Sequence, residues 1–311
     1  MKFLVTGGAG FIGRWVVHKL LIDGHDVIAL DNLSNGQMEN IAEFNTSKRF
    51  RFIKGDVMDA KLIDSLFDGL IDCCLHLAAQ IEVQQSLDDS SKSFENNVVG
   101  SYNVLEAAKK HRTKVLFMGT CMVYDISDTA RGINELHPVK PTSPYAGSKL
   151  AAEDLALSYH HGLGLPVIIV RPFNTYGPFQ KTNMEGGVVS IFIQRNLNGE
   201  TLNIFGDGKQ TRDLLYVEDC ADFVIKAALS DKAVGNVINA GTGKDVTINE
   251  LALLICNDQS RIKHVVHHHP QSEIAKLQCD YSKAKELLGW TPKTSLVEGI
   301  KKTEEWLKNR R

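Results

Sequence analysis

Short apolar runs alternate with longer amphipathic stretches through the first half of the chain. Lys2 to Thr6, Asp26 to Leu30, Phe50 to Lys54, Cys73 to Leu77, Val115 to Met118 and Val167 to Val170 are rich in Val, Ile, Leu and Phe. Between them Phe11 to Asp23, Leu62 to Phe67, Ser93 to His111 and Tyr145 to His161 carry helical spacing. This rhythm predicts a doubly wound α/β fold, because parallel strands need crossover connections and right-handed crossovers cover both sheet faces. Past Arg171 the pattern loosens. Asn174 to Gly187 is rich in Gly and polar residues, an apolar helix is expected at Val188 to Leu197, and Thr247 to Glu250 and Ser295 to Glu298 read as capping boxes before later helices. The expected organisation is a large lobe over 1–172 and a smaller mixed α/β lobe over 173–311, with segments near 212–240 returning to the first.

Composition narrows the function classes. The chain has 311 residues, 43% hydrophobic and 23% charged, with a net charge of -2. That is enough apolar material for a substantial core, and the charge gives no basic footprint for nucleic acid. No apolar run approaches the ~18 residues of a membrane span. Met1 to Thr6 leads straight into a glycine turn, so a soluble cytoplasmic protein is expected. Six cysteines (Cys73, Cys74, Cys121, Cys220, Cys256, Cys279) lack CxxC spacing and read as reduced thiols. His264, His267, His268 and His269 invite a metal reading, but consecutive histidines project in different directions, and no metal site is expected.

The turn itself, Gly7-Gly8-Ala9-Gly10-Phe11-Ile12-Gly13, directly follows a predicted strand and opens a predicted helix. Glycine is needed there because the backbone must turn tightly and approach a phosphate, while the helix N-terminus offers free N–H groups. Asp31 ends the second strand, where a carboxylate can accept from adenosine ribose hydroxyls and would repel a 2′-phosphate. Asp56 follows the third strand, near the expected adenine. Together they favour NAD over NADP in a Rossmann-type first lobe.

Tyr145 and Lys149 lie four apart on a helix whose start is signalled by Ser143 and Pro144, so they share a face. A phenol is a poor base at neutral pH, but a neighbouring ammonium and an oxidised nicotinamide both favour its phenolate. Tyr145 can then take a proton from a sugar hydroxyl while hydride leaves the same carbon. Thr120, at the end of the fifth strand, is placed to orient that hydroxyl.

With these residues in hand the chain resembles the extended short-chain dehydrogenase/reductase family of nucleotide-sugar epimerases, 4,6-dehydratases and decarboxylases. Further marks are His76-Leu77-Ala78-Ala79-Gln80, Asn97-Val98-Val99-Gly100, Arg171-Pro172-Phe173-Asn174-Thr175-Tyr176-Gly177-Pro178, Gly206-Asp207-Gly208 before Arg212-Asp213, and Asp280-Tyr281-Ser282-Lys283-Ala284. The resemblance implies a resident NAD held by Gly7, Gly10, Phe11, Ile12, Gly13, Asp31, Asn32, Asp56, Val57, Leu77, Ala78, Ala79, Gln80, Asn97, Thr120, Tyr145, Lys149 and Phe173. It implies a nucleotide-diphosphate sugar, UDP-linked, bound by Gln80, Val83, Cys121, Met122, Asn174, Val188, Asn203 and Arg212. A homodimer packed through Ser93 to His111 and Tyr145 to His161 is also implied.

Two departures bear on the reaction. Family dehydratases carry an Asp-Glu pair after the threonine, where this chain has Cys121 and Met122. Methionine exchanges no proton, so ordinary dehydration is disfavoured and 4-epimerase-type chemistry through a 4-keto sugar is favoured. Alternatives are an enzyme of deoxy-amino-sugar synthesis using Cys121 as proton donor (4,6-dehydration, inversion at C5, or C4 oxidation of a 5,6-unsaturated sugar) and a non-catalytic NAD-binding protein. Pro270-Gln271-Ser272-Glu273 replaces a stretch that often begins with a diphosphate-gripping arginine, leaving Lys276 or a nearby histidine to compensate. Gly132-Ile133-Asn134-Glu135 and Glu185-Gly186-Gly187 are expected near the sugar.

Overall fold

The computed structural model describes residues 1–126, 132–182, 187–267, 270 and 274–310. In the first lobe the strands are β1 (Lys2–Thr6), β2 (Asp26–Asp31), β3 (Phe50–Lys54), β4 (Cys73–His76), β5 (Lys114–Met118) and β6 (Val167–Pro172). They are followed by β7 (Asn174–Tyr176), β8 (Leu202–Phe205), β9 (Thr211–Tyr216), β10 (Val237–Ala240), β11 (Asp245–Thr247), β12 (Ile262–Val265) and β13 (Lys276–Leu277).

One seven-stranded sheet runs β10-β6-β5-β4-β1-β2-β3 with every pairing parallel. The strand order reverses between β1 and β4, which opens a crevice at their carboxyl ends, and ligands of such sheets sit there. Both faces of the strands other than edge β3 are buried, which explains their continuous runs of Val, Ile, Leu and Phe. One face packs Val5, Val16, Val17, Leu20 and Phe223 together, and the other packs Leu4, Val104, Leu105, Phe117 and Ile169.

The smaller lobe centres on β9, which pairs parallel with β7 and β13 and antiparallel with β11, while β8 and β12 form a separate parallel pair. The expected return to the first lobe near 212–240 begins later than the sequence suggests. β9 belongs to the small sheet, and the crossing starts with helix Val217–Leu229, whose Cys220, Ala221 and Val224 pack on Val16 and Leu20. That helix leads into β10, and Trp290, fully buried, joins the same core.

Local boundaries follow identifiable causes. Asp59 caps helix Ala60–Leu66 by accepting from Lys61 and Leu62 N–H. Ser143 caps helix Pro144–Leu163, with Pro144 in its first turn. The helix expected over Ser93 to His111 is broken into Ser90–Phe94, a π turn at Glu95–Val99 and Gly100–His111. Tight packing accompanies the break: a Cβ on Gly100 would stand 2.6 Å from Val57 Cγ2. Thr247 and Glu250 form a reciprocal capping box, but Ser295 forms only half of one, since the Glu298 carboxylate pairs with Lys302 at 2.9 Å.

Candidate active site

The glycine turn closes β1 onto the helix Phe11–Ile22. Gly7 has φ +71°, a left-handed conformation, and a Cβ there would lie 2.8 Å from Ala78 N. Gly13 sits so close beneath the turn that a Cβ would lie 2.1 Å from the Gly7 carbonyl oxygen. The helix begins at Gly10 without a side-chain cap, so its first N–H groups remain available to an anion. Asp31 accepts from Ala9 N at 3.0 Å and Leu33 N at 2.8 Å. Burial raises its pKa, opposed by those amides, by Gly10 N–H and by the charge of Lys181. A bare cradle of amides beside a strand-end carboxylate fits the pyrophosphate and adenosine ribose of NAD.

From this turn a cavity of about 740 Å³ runs along the carboxyl ends of the strands into the small lobe. Its walls bring together Gly7, Gly10, Phe11, Ile12, Gly13, Asp31, Asn32, Val57, Leu77, Ala78, Ala79 and Phe173 with Thr120, Tyr145 and Lys149. Val83, Cys121, Met122, Asn174, Val188, Asn203 and Arg212 line the same space. Three expected contacts do not. Asp56 stands behind the wall, accepting from Asn32 Nδ2 at 2.8 Å. Gln80 and Asn97 satisfy one another: Gln80 N donates to Asn97 Oδ1 at 2.8 Å, and Asn97 Nδ2 donates to Gln80 O at 3.0 Å and to Ser148 Oγ at 2.9 Å. They brace the helix that carries Tyr145.

Three features converge at the β5 end. Burial pushes the Tyr145 phenol up to about 12, opposed by the Thr120 hydroxyl, and both residues line the cavity. Lys149 is buried at 3% exposure with its ammonium 4.3 Å from the centre of the Phe117 ring. Burial lowers its pKa, and the Glu153 carboxylate opposes that shift. Cys121 is 2% exposed, and burial pushes its thiol up to about 12, so at neutral pH it is a thiol rather than a thiolate. Arg212 is held by Nη1 hydrogen bonds to Thr211 O at 2.7 Å and Ile274 O at 2.8 Å. The neighbouring Asp213 is not a site group: it accepts from Thr242 N and Oγ1, Gly243 N and Cys279 N.

The sequence reading missed much of the far wall. Phe205, Gln210, Ile248 and His267 line it, as do Phe179, Gln180 and Lys181 nearer Asp31. His267 belongs to the cluster read as a loop, and its signal was simply histidine near a strand end. His264 pairs with Asn249 Oδ1 at 2.9 Å, while His268, His269, Glu185, Gly186 and Gln271-Ser272-Glu273 lie outside the described residues. Among the described residues no group of His, Cys, Asp and Glu gathers to hold a metal, all six cysteines are buried and free, and no helix is long and apolar enough to cross a membrane.

A parallel sheet with a glycine cradle, a strand-end carboxylate and a Thr-Tyr-Lys cluster defines an extended short-chain dehydrogenase/reductase. Residues 4–303 match the family model described as GDP-mannose 4,6 dehydratase, and the chain belongs to that family of nucleotide-sugar epimerases and dehydratases. It is 38% identical to the UDP-glucose 4-epimerase of Mycolicibacterium smegmatis over all of this chain and 99% of that one. The crystal structure of Pal from Bacillus thuringiensis is 57% identical, with TM-score 0.98 and complete coverage of both chains. The DesIV dTDP-glucose 4,6-dehydratase of Streptomyces venezuelae, solved as a double mutant with NAD bound, is 31% identical with TM-score 0.94, over all of this chain and 98% of that one.

Proposed function

We propose that this chain is an NAD-dependent enzyme that oxidises C4 of a UDP-linked hexosamine and uses Cys121 to protonate the neighbouring C5. NAD, when bound, accepts the C4 hydrogen as hydride and returns it within the turnover. Tyr145 takes the C4 hydroxyl proton, Thr120 orients that hydroxyl, and Lys149 stabilises the phenolate. Asn174 and Arg212 hold the diphosphate. On residue types alone 4-epimerisation stands first, because Met122 offers no acid. The observation that moves the balance is a buried thiol on the cavity wall immediately after Thr120. Simple inversion at C4 leaves that thiol without work. A 5,6-unsaturated 6-deoxy-hexosamine uses it fully: C4 becomes a ketone, C6 gains hydrogen, C5 gains the thiol proton, and the net change is an isomerisation. Tyr145 ends the turnover holding the proton that replaces the one Cys121 gave.

The second reading is 4-epimerisation of UDP-N-acetylglucosamine or UDP-glucose, favoured by the missing carboxylates. Incubation of the purified protein in D2O with each sugar and with the 5,6-unsaturated UDP-hexosamine, read by NMR, separates the two. The first reading expects a 4-keto-6-deoxy product labelled at C5, formed only from the unsaturated sugar and lost in Cys121→Ala. C4 inversion indifferent to Cys121→Ala would establish the second. A 4-keto-6-deoxy sugar from UDP-N-acetylglucosamine itself would overturn both in favour of a dehydratase.

The exposed side of the helices Ser90–Phe94, Gly100–His111 and Pro144–Leu163 supports a homodimer. Phe94 is 57% exposed and lines a hollow with Val98, Pro144 and Gly147, and Tyr102 stands nearby on the same helical run. The six free thiols suit the reducing cytoplasm.

A further inference from the structure

Behind the cluster of Thr120, Tyr145 and Lys149 lies a buried ion pair that none of the steps above uses. Glu153 follows Lys149 by one helical turn and is 1% exposed. Its Oε2 accepts from Arg171 Nε at 2.8 Å and Nη2 at 2.6 Å. Arg171, on β6, is itself buried and stacks over the Tyr124 ring at 4.8 Å. Tyr124 donates to Asn239 Oδ1 at 2.8 Å, and Asn239 N donates to Glu135 Oε1 at 2.7 Å. The anchor for the carboxylate is thus carried back through two further layers. Its other oxygen, Oε1, is buried with no hydrogen-bond partner and lies where a Cβ on Gly119 would stand, 2.1 Å away. Gly119 immediately precedes Thr120, so the strand end leaves open the space this oxygen fills.

An unpartnered carboxylate oxygen in a dry interior is costly unless a charge nearby repays it. Arg171 supplies one such charge at Oε2, and Lys149, buried one helical turn back along the same helix, supplies a second. Lys149 stands over Phe117 on β5 and acts on His76 on β4 and on Glu153 along its own helix, while Tyr145, Thr120 and Cys121 share its cavity wall. Burial lowers the His76 pKa to about 3, so that ring is neutral at working pH, and burial raises the Cys121 thiol and, without the charge of an oxidised cofactor, the Tyr145 phenol. Glu153 supplies the negative charge in this set.

We propose that Glu153, clamped by Arg171 and seated under Gly119, is a positioning residue that keeps Lys149 protonated and thereby keeps Tyr145 usable as a base. This rests on the role given above to Tyr145 and Lys149. Both Arg171 nitrogens bond Oε2, which fixes that oxygen, and the bare backbone of Gly119 leaves the space that Oε1 fills.

The test is substrate-free. Lysine labelled with ¹³C at Cε is titrated by NMR in the NAD-loaded full chain, with Lys149→Met assigning the resonance. In Glu153→Gln the Lys149 pKa is expected to fall by roughly one unit or more. Glu153→Gln leaves Arg171 buried without its partner, so Glu153→Gln with Arg171→Met removes the pair together and keeps the measurement possible if the single variant does not fold. The fall is expected in both. An unchanged Lys149 pKa in either folded variant overturns the inference. Failure of the underlying reading is seen separately, as Tyr145→Phe turning over as fast as the parent.

Discussion

The two ends of the cavity are built on different principles. At the cofactor end the wall is backbone: a left-handed Gly7, a Gly13 with no room for a methyl, uncapped amides and one carboxylate tied to Ala9 and Leu33. At the sugar end the wall is side chains delivered from remote segments: Cys121 after β5, Asn174 in β7, Arg212 in β9, and Phe205 and His267 from the pair β8 and β12. A backbone site constrains which residues can stand there at all, whereas a side-chain site can change its chemistry one residue at a time. This is how one family holds epimerases and dehydratases over one cofactor cradle.

That contrast breaks if the cluster of Thr120, Tyr145 and Lys149 between the two ends is not shared by both. Tyr145→Phe is expected to lower turnover at least ~10³-fold while NAD stays bound, measured by product formation beside cofactor content. The backbone end is challenged by Gly13→Ala, whose methyl would collide with the Gly7 carbonyl. It should cost about 2–3 kcal/mol in denaturant unfolding and empty the protein of NAD. At the side-chain end, Arg212→Met should raise the KM for a UDP-sugar roughly 10–100-fold, about 1.4–2.7 kcal/mol, with kcat near the parent value in steady-state kinetics. A matching fall in kcat would place Arg212 in the chemistry instead.

The last effect is gradual and concerns pH. His76 lies between Thr6 Oγ1 at 2.7 Å and Ser101 Oγ at 3.0 Å, and burial depresses its pKa to about 3. Below about pH 6.5 the unfolded chain takes up a proton that the folded chain refuses. Stability therefore falls with decreasing pH between about 6.5 and 3, by up to about 1.4 kcal/mol per unit. His76→Gln should flatten that slope in urea titrations across pH 4–7, at some cost to stability at neutral pH. An unchanged slope would assign the acid sensitivity to other groups.

The same contrast governs what could be read from sequence. The glycine turn, Asp31 and the one-turn spacing of Tyr145 and Lys149 were legible because local backbone geometry dictates them. Asp56, Gln80 and Asn97 sit in equally recognisable segments, yet their polar groups are spent on neighbours, which spacing cannot reveal. Phe205 and His267 share a cavity wall with Cys121 only because β8 and β12 pair beside the crevice, a tertiary fact with no local signature. The break inside the helix ending at His111 was also invisible, since its residues have ordinary helical character. Glu153 was hidden by its surroundings: a glutamate one turn after a lysine reads as a surface pair until Arg171 and Gly119 close over it.

The π turn at Glu95–Val99 carries a consequence of its own. A π turn holds one residue more than the regular helix would, so the chain here contains a spare length of about 1.5 Å and about 100° of winding. Shortening this segment by a single residue would let the helix straighten with both flanks still in phase, because the turn already absorbs that residue's rise and winding. The change would fall on Asn97, which the turn itself carries to Ser148, while Ser101 beyond the turn would keep its place beside His76. The irregularity thus confines an extra residue to the stretch that meets the helix of Tyr145 and leaves the register facing the central sheet undisturbed.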